Sequence, residues 1–149
     1  RGEEEKVREN VAALLSGTEL GEKQRYSVVQ GNALRQRFYD LLAEGFPLLA
    51  WDVLHEWSQI APMDRVNGSF GLARSQLWRT FGWLDGALGE LDGAMLLDPL
   101  LPNLPDVELE RAKTMAEAGD SQHANELFMK IIKEYPNHPA ANAAKRRIR

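Results

Sequence analysis

The sequence predicts an all-α fold: antiparallel helix pairs stacked in a row, with a flanking helix at each end. Three observations predict it. First, residues of the same character recur every 37 positions: Gly45, Gly82 and Gly119; Ala50, Ala87 and Ala124; Pro62, Pro99 and Pro136. Leu54, Leu91 and Phe128 keep that spacing, and so do Trp57, Ala94 and Ile131. A fixed period of this length is the signature of a repeat architecture. Second, the alanine and the two apolar residues after it stand at i, i+4 and i+7 in every unit, which puts them on one helix face. Third, each end of the chain carries the charge that suits a helix terminus: Glu3, Glu4 and Glu5 at the start, Lys145, Arg146, Arg147 and Arg149 at the end.

Each element has its own justification. A helix over 3–16 follows from Val7, Val11, Leu14 and Leu15 on one side, ending near Gly17. Helices over 22–44, 69–81 and 105–118 each stop at a glycine (Gly45, Gly82, Gly119), because a left-handed C-terminal cap is cheap only without a Cβ. Their partners, 46–60, 83–97 and 121–134, each begin just after that glycine and carry the small alanine that lets two helix backbones approach. They stop before Pro62, Pro99 and Pro136, since proline cannot continue a helix and biases its predecessor away from helical torsions. A last helix over 138–148 holds Ala140, Ala141, Ala143, Ala144 and Ile148. The whole reads as one domain over 1–149, with repeats at 31–67, 68–104 and 105–139. Residues 1–30 supply the N-terminal flanking helix and the start of the first repeat helix, and 138–149 the C-terminal cap that a repeat array needs. The connectors MDRVNGSF and LLPNLPDV are expected to be surface insertions.

Composition narrows the chemistry. With 149 residues and 44% apolar content the chain is long enough for a real core, and a net charge of −4 is too small for intrinsic disorder. The absence of cysteine excludes disulfide frameworks, thiolate zinc sites, iron–sulfur clusters and cysteine nucleophiles. No apolar run approaches the ~20 residues of a membrane span, so no membrane insertion is expected of this segment. The acidic balance argues against nucleic acid as a partner; the basic end AKRRIR is a single helix terminus without aromatic stacking platforms. A start at Arg1, with no methionine and no apolar signal segment, reads as a processed or excised piece.

No motif carries catalysis. His55 opens HEWSQ, where Gln59 replaces the second histidine of a zinc-protease helix, and His123 and His138 flank one helix without a third ligand. All three read as surface or capping histidines, so no metal and no cofactor is expected. The glycines of GWLDGALGELDG lack the lysine and serine or threonine of a phosphate loop; Gly86, Gly89 and Gly93 read as close helix packing, with a flexible or ligand-approached helix as the alternative. Of the carboxylates, Asp85, Glu90, Asp92, Glu108 and Glu110 among them, most are expected on a solvated helix face, and no pair is assignable to one pocket. The aromatics Phe38, Phe46, Trp51, Trp57, Trp78, Phe81 and Trp83 are expected in the inter-helix core; any that prove exposed would be anchors for a partner.

The second unit, LARSQLWRTFGWLDGALGELDGAMLLDP, resembles a tetratricopeptide repeat, with Ser75, Trp78, Gly82, Ala87, Leu91, Ala94 and Pro99 at that family's offsets. The third, LERAKTMAEAGDSQHANELFMKIIKEYP, matches through Ala112, Met115, Gly119, Ala124, Phe128 and Pro136, with Ile131 in place of a small residue. The first, RQRFYDLLAEGFPLLAWDVLHEWSQIAP, carries bulky Phe38 and Trp57 at sites where the family has small ones. The spacing of 37 exceeds the family's ~34. The resemblance covers roughly 31–139 and is most specific in the last two units. The segment FMKIIKEYPNHPAANAAKRRI also resembles repeats of bacterial envelope-assembly and cell-division proteins, which implies a bacterial origin and favours the periplasm or envelope over the cytoplasm.

The resemblance implies a right-handed superhelix whose concave face is lined by the first helix of each pair and holds a peptide or a partner's helix. Carried across, the lining residues are Asn32, Arg35, Gln36 and Tyr39 from the first unit, Leu72, Ala73, Gln76 and Arg79 from the second, and Asp106, Glu110 and Lys113 from the third. Tyr39, Ala73, Asp106 and Glu110 depart from the lysines, arginines and asparagines with which some members grip a chaperone's C-terminal carboxylate, so that mode is rejected. Arg35, Tyr39, Gln76 and Arg79 form the expected hydrogen-bonding strip, and reversing Arg35 and Arg79 is expected to abolish capture while leaving melting intact. The expected function is therefore a non-catalytic protein–protein interaction or scaffold module. The alternatives are a homo-oligomer stacking through its end helices or Trp-rich surface, and a ligand-binding or enzymatic domain with an inter-helix pocket near Trp51, Trp57 and Trp78.

Overall fold

Three turns of the same construction set the architecture. Gly45, Gly82 and Gly119 adopt left-handed backbone with φ of 88°, 81° and 90°. At each, the glycine N–H donates three residues back, and the next residue's N–H donates five back: Gly82 to Arg79 and Trp83 to Trp78, with Gly45 to Leu42, Phe46 to Leu41, Gly119 to Ala116 and Asp120 to Met115 following suit. This is the Schellman ending, in which the carbonyls orphaned at a helix end are satisfied and the chain reverses within two residues.

A computed structural model describes residues 2–15, 19–66, 68–97 and 100–148 of this chain. It is helical throughout: α1 (Gly2–Leu15), α2 (Glu19–Ala43), α3 (Pro47–Ile60), α4 (Ser69–Thr80), α5 (Leu84–Leu97), α6 (Leu104–Glu117), α7 (Ser121–Glu134) and α8 (Pro139–Arg147), with a 3₁₀ helix at Pro62–Arg65 after α3. Among the described residues there is no strand. Gly17, Pro99 and the side chains of Val11, Leu14 and Leu15, on which some sequence expectations rest, lie outside the described residues; Val7 stands exposed on α1. Pro47, Pro105 and Pro139 sit in the first turn of α3, α6 and α8, where a missing N–H costs nothing.

The helices pack as pairs, α2 with α3, α4 with α5, and α6 with α7, and each pair meets the next through α3–α4 and α5–α6; α8 lies against α7 and α6. The recurring sequence positions recur in the packing. Ala50, Ala87 and Ala124 are all fully enclosed, and Leu54, Leu91, Phe128, Trp57, Ala94 and Ile131 are buried with them. The core is correspondingly segmented. Phe38, Trp57, Phe70 and Leu77 knit α2, α3 and α4; Leu91, Leu101 and Val107 join α5 to α6; Phe128, Ile131, Ala140 and Ala144 close the far end. Apolar burial, at ~25 cal/mol per Å², is thus spread along the stack.

The connectors are more than insertions. The first winds into the 3₁₀ helix, whose Asp64 accepts a hydrogen bond from the indole Nε1 of Trp57 at 2.7 Å. That bond lets the bulky Trp57 be buried with its polar atom satisfied. Gly31 on α2 admits this segment; a Cβ there would stand 2.7 Å from the Ala61 Cβ. The second connector buries Leu101 in the core.

Candidate functional site

The first helices of the three pairs, α2, α4 and α6, turn charged and polar side chains towards one another around Glu110. Its placement follows from the helix period: α6 puts Glu110 and Thr114 on the side that meets α4, so both are buried, and the Thr114 hydroxyl donates to the Glu110 carbonyl at 2.8 Å. A buried carboxylate needs partners. Arg79 of α4 supplies the main one, donating from Nε to Glu110 Oε1, while its Nη1 reaches Glu117 Oε1 at 2.7 Å. The Gln76 amide lies 3.5 Å from Glu110 Oε2. Desolvation opposes the charge on Arg79, but Glu110 and Glu117 outweigh it and hold the guanidinium firmly protonated. From α2, Tyr39 joins the cluster. Its phenol is pushed up to about 12, chiefly by burial, with Glu110 and Asp106 adding and Arg35 opposing.

Of the residues assigned from sequence to this face, the structure therefore brings together Arg35, Tyr39, Gln76, Arg79, Asp106, Glu110 and Lys113. Asn32, Arg35, Gln36 and Asp106 are exposed, with Gln36 bonded only to Asp40 of its own helix at 3.0 Å. Two residues do not line the face. Ala73 is wholly enclosed in the first core, and Leu72 is half-buried against Leu91, Leu101 and Val107. Arg79 is not a free donor: its guanidinium is committed to two carboxylates, so reversing its charge would strand Glu110 in the interior. The expectation that melting survives that change is corrected accordingly. Glu117, the second partner of Arg79, went unassigned in the sequence, although its seven-residue offset from Glu110 puts it on the same helix face.

The aromatics split. Phe38 and Trp57 are fully buried as expected, but Trp51, Phe81 and Trp83 are 47%, 40% and 57% exposed, and Phe46 is exposed as well. Phe46 and Trp83 each follow the glycine of a Schellman turn, the position whose apolar contact with the helix three residues before the cap accompanies that ending. For Trp83 the contact is Trp78, with ring centroids 5.4 Å apart. Trp78 also packs edge-on to Trp51 at 5.6 Å and lies under the Arg74 guanidinium at 5.5 Å. Trp51 and Trp78 border an open furrow between α3, the 3₁₀ helix and α4, lined also by His55, Arg65, Phe70 and Arg74. The space beside Trp51 and Trp78 is thus on the surface, and Trp57 fills the interior.

The central glycines of α5 differ from expectation. A Cβ on Gly89 or Gly93 would meet nothing within 4 Å, so neither serves close helix packing, while a Cβ on Gly86 would strike the Trp83 indole that covers it. His138 caps α8 by accepting from the Ala140 N–H at 3.0 Å, His123 lies against the α7 cap Asp120, and His55 is exposed beside Gln59. Among the described residues no group of three or more histidines and carboxylates is placed to hold a metal ion, and no helix is long and apolar enough to cross a membrane. No known protein family, no curated protein and no solved structure matches the chain.

Proposed function

We propose that this chain is a tetratricopeptide-type repeat module, a non-catalytic scaffold that binds a peptide or partner protein along the face of α2, α4 and α6, on the concave side of a right-handed superhelix. One observation carries the reading: side chains from three different helices converge on Glu110 of α6, with Gln76 and Arg79 of α4 at hydrogen-bonding distance and Tyr39 of α2 within its field. In this reading the buried Arg79–Glu110 pair is the support, and the exposed Asn32, Arg35, Gln36 and Asp106 are the groups that touch the partner. Such a face, polar and of mixed charge, selects through hydrogen bonds and charge matching. The test exchanges exposed charge only. Arg35→Glu with Asp106→Lys should abolish capture of the partner with helicity and melting unchanged, and undiminished capture would remove the claim.

A second reading has its own observation, the exposed rings of Trp51, Phe81 and Trp83. Tryptophan is enriched where interfaces draw most of their energy, and these rings support self-association through the α3–α4–α5 surface. Sedimentation at rising concentration tests it: a growing weight-average mass supports it, and a strict monomer at millimolar concentration overturns it.

A further inference from the structure

Beyond the face around Glu110, the far end of the stack carries a second, differently built recess. The end of α6, the first half of α7 and the end of α8 enclose a cavity of about 430 Å³. Its floor is apolar, formed by Ala124 and the buried Phe128, and its rim carries Ser121 and Asn125 of α7 and Arg146 and Arg147 of α8. No carboxylate among the described residues lines it. Among the described residues neither arginine forms an ion pair, whereas Arg74, Arg79, Arg111 and Lys130 are each matched to a carboxylate. The surplus is felt nearby: the Lys113 ammonium on α6 is pushed down, first by burial, and then by Arg147, Arg79 and Arg146 against the opposing pull of Glu110.

We infer that this cavity is a binding site for an organic oxyanion, a phosphate monoester or carboxylate borne on an apolar stem. The two guanidiniums pair with the anionic head, as planar donor forks do with phosphate and carboxylate. Asn125 and Ser121 donate to its remaining oxygens, and the stem lies along the recess against the half-buried Ala116. The site is independent of the peptide-binding reading, since none of its lining residues belongs to the face around Glu110.

Phenyl phosphate, benzoate and inorganic phosphate, titrated at low ionic strength and followed by amide NMR, test the assignment and separate its sources. The expected result is saturable displacement of the Ser121 backbone and Asn125 side-chain signals, with at least one organic anion bound more tightly than inorganic phosphate. Phosphate esters as the source give phenyl phosphate the highest affinity; carboxylates as the source give benzoate the highest. Arg146→Gln with Arg147→Gln should weaken binding about tenfold or more, whereas Lys145→Gln, outside the cavity, should not. Equal binding by the double variant, displacement elsewhere only, or no saturable displacement in the wild-type protein overturns the proposal. Because the mapping uses the wild-type chain, it stands even if the double variant frays α8.

Discussion

The guanidinium of Arg79 on α4 holds the buried carboxylate of Glu110 on α6, and the second arm of the same side chain holds Glu117 about two turns further along. Glu110 is 2% exposed, so the pair ties two neighbouring helix pairs together at a point from which water is excluded. Removing one partner leaves an uncompensated charge inside, which costs far more than removing both. Arg79→Gln should therefore destabilise by about 2–4 kcal/mol, allowing for the partial exposure of the arginine. The double change Arg79→Met with Glu110→Leu should recover much of the loss. Urea melts of the three proteins check this, and an additive double variant would contradict it.

Tyr39 gives the same face a pH signature. Its phenol titrates at about 12 when folded against 10.0 ordinarily, because burial and the carboxylates Glu110 and Asp106 disfavour the phenolate. A raised folded value means the stability it confers is complete below pH 10 and drains away as the pH climbs from 10 through 12. Tyr39→Phe should flatten the fall in melting temperature across that window, and ultraviolet difference titration should lose its latest-ionising tyrosine. A variant with the wild-type alkaline profile would count against the geometry.

The glycines separate conformation from packing. Gly89 and Gly93 lie mid-helix with open space where a Cβ would go. Alanine at either should stabilise by about 0.4–1 kcal/mol. Gly31→Ala should destabilise instead, because its Cβ meets Ala61, and Ala87→Trp should cost about 1–3 kcal/mol or more by overpacking. Thermal melts rank the four. Stabilisation at position 31 or marked loss at 89 would show the helix contacts misplaced.

The way the elements arise explains which of them were legible in the sequence. Helix limits were readable to within one to three residues because Gly45, Gly82 and Gly119 act locally, through their own φ. The buried alanines were readable because a helix period projects them onto one side. Burial of Glu108, Glu110 and Thr114 was not, since it depends on the neighbouring helix and no local pattern encodes that. The 3₁₀ turn at Pro62–Arg65 likewise escaped, because the bond from the Trp57 indole to Asp64 that accompanies it follows from burial of the ring and not from hydrophobic period. The exposure of Trp83 did have a local signal, its place after a capping glycine, which hydrophobicity alone obscures. On the α2–α4–α6 side the offsets brought together seven residues, whereas Ala73 is enclosed in the core and Leu72 is half-buried against it.

The exposed rings yield a separable expectation. Trp51→Ser with Trp83→Ser should leave helicity intact, because both side chains are about half in water, and should weaken any self-association by tenfold or more. Sedimentation equilibrium of the two proteins is the measurement; unchanged association places the contact elsewhere.

The central claim is that partners engage the α2–α4–α6 face. Site-specific photocrosslinking tests it most directly, with the crosslinking residue placed in turn at Arg35 and Asp106 on that face and at Glu56 and Glu126 on the second helices. Binding on the α2–α4–α6 face gives discrete adducts from positions 35 and 106 and none from 56 and 126; adducts confined to 56 and 126, or equal from all four, would place the partner elsewhere.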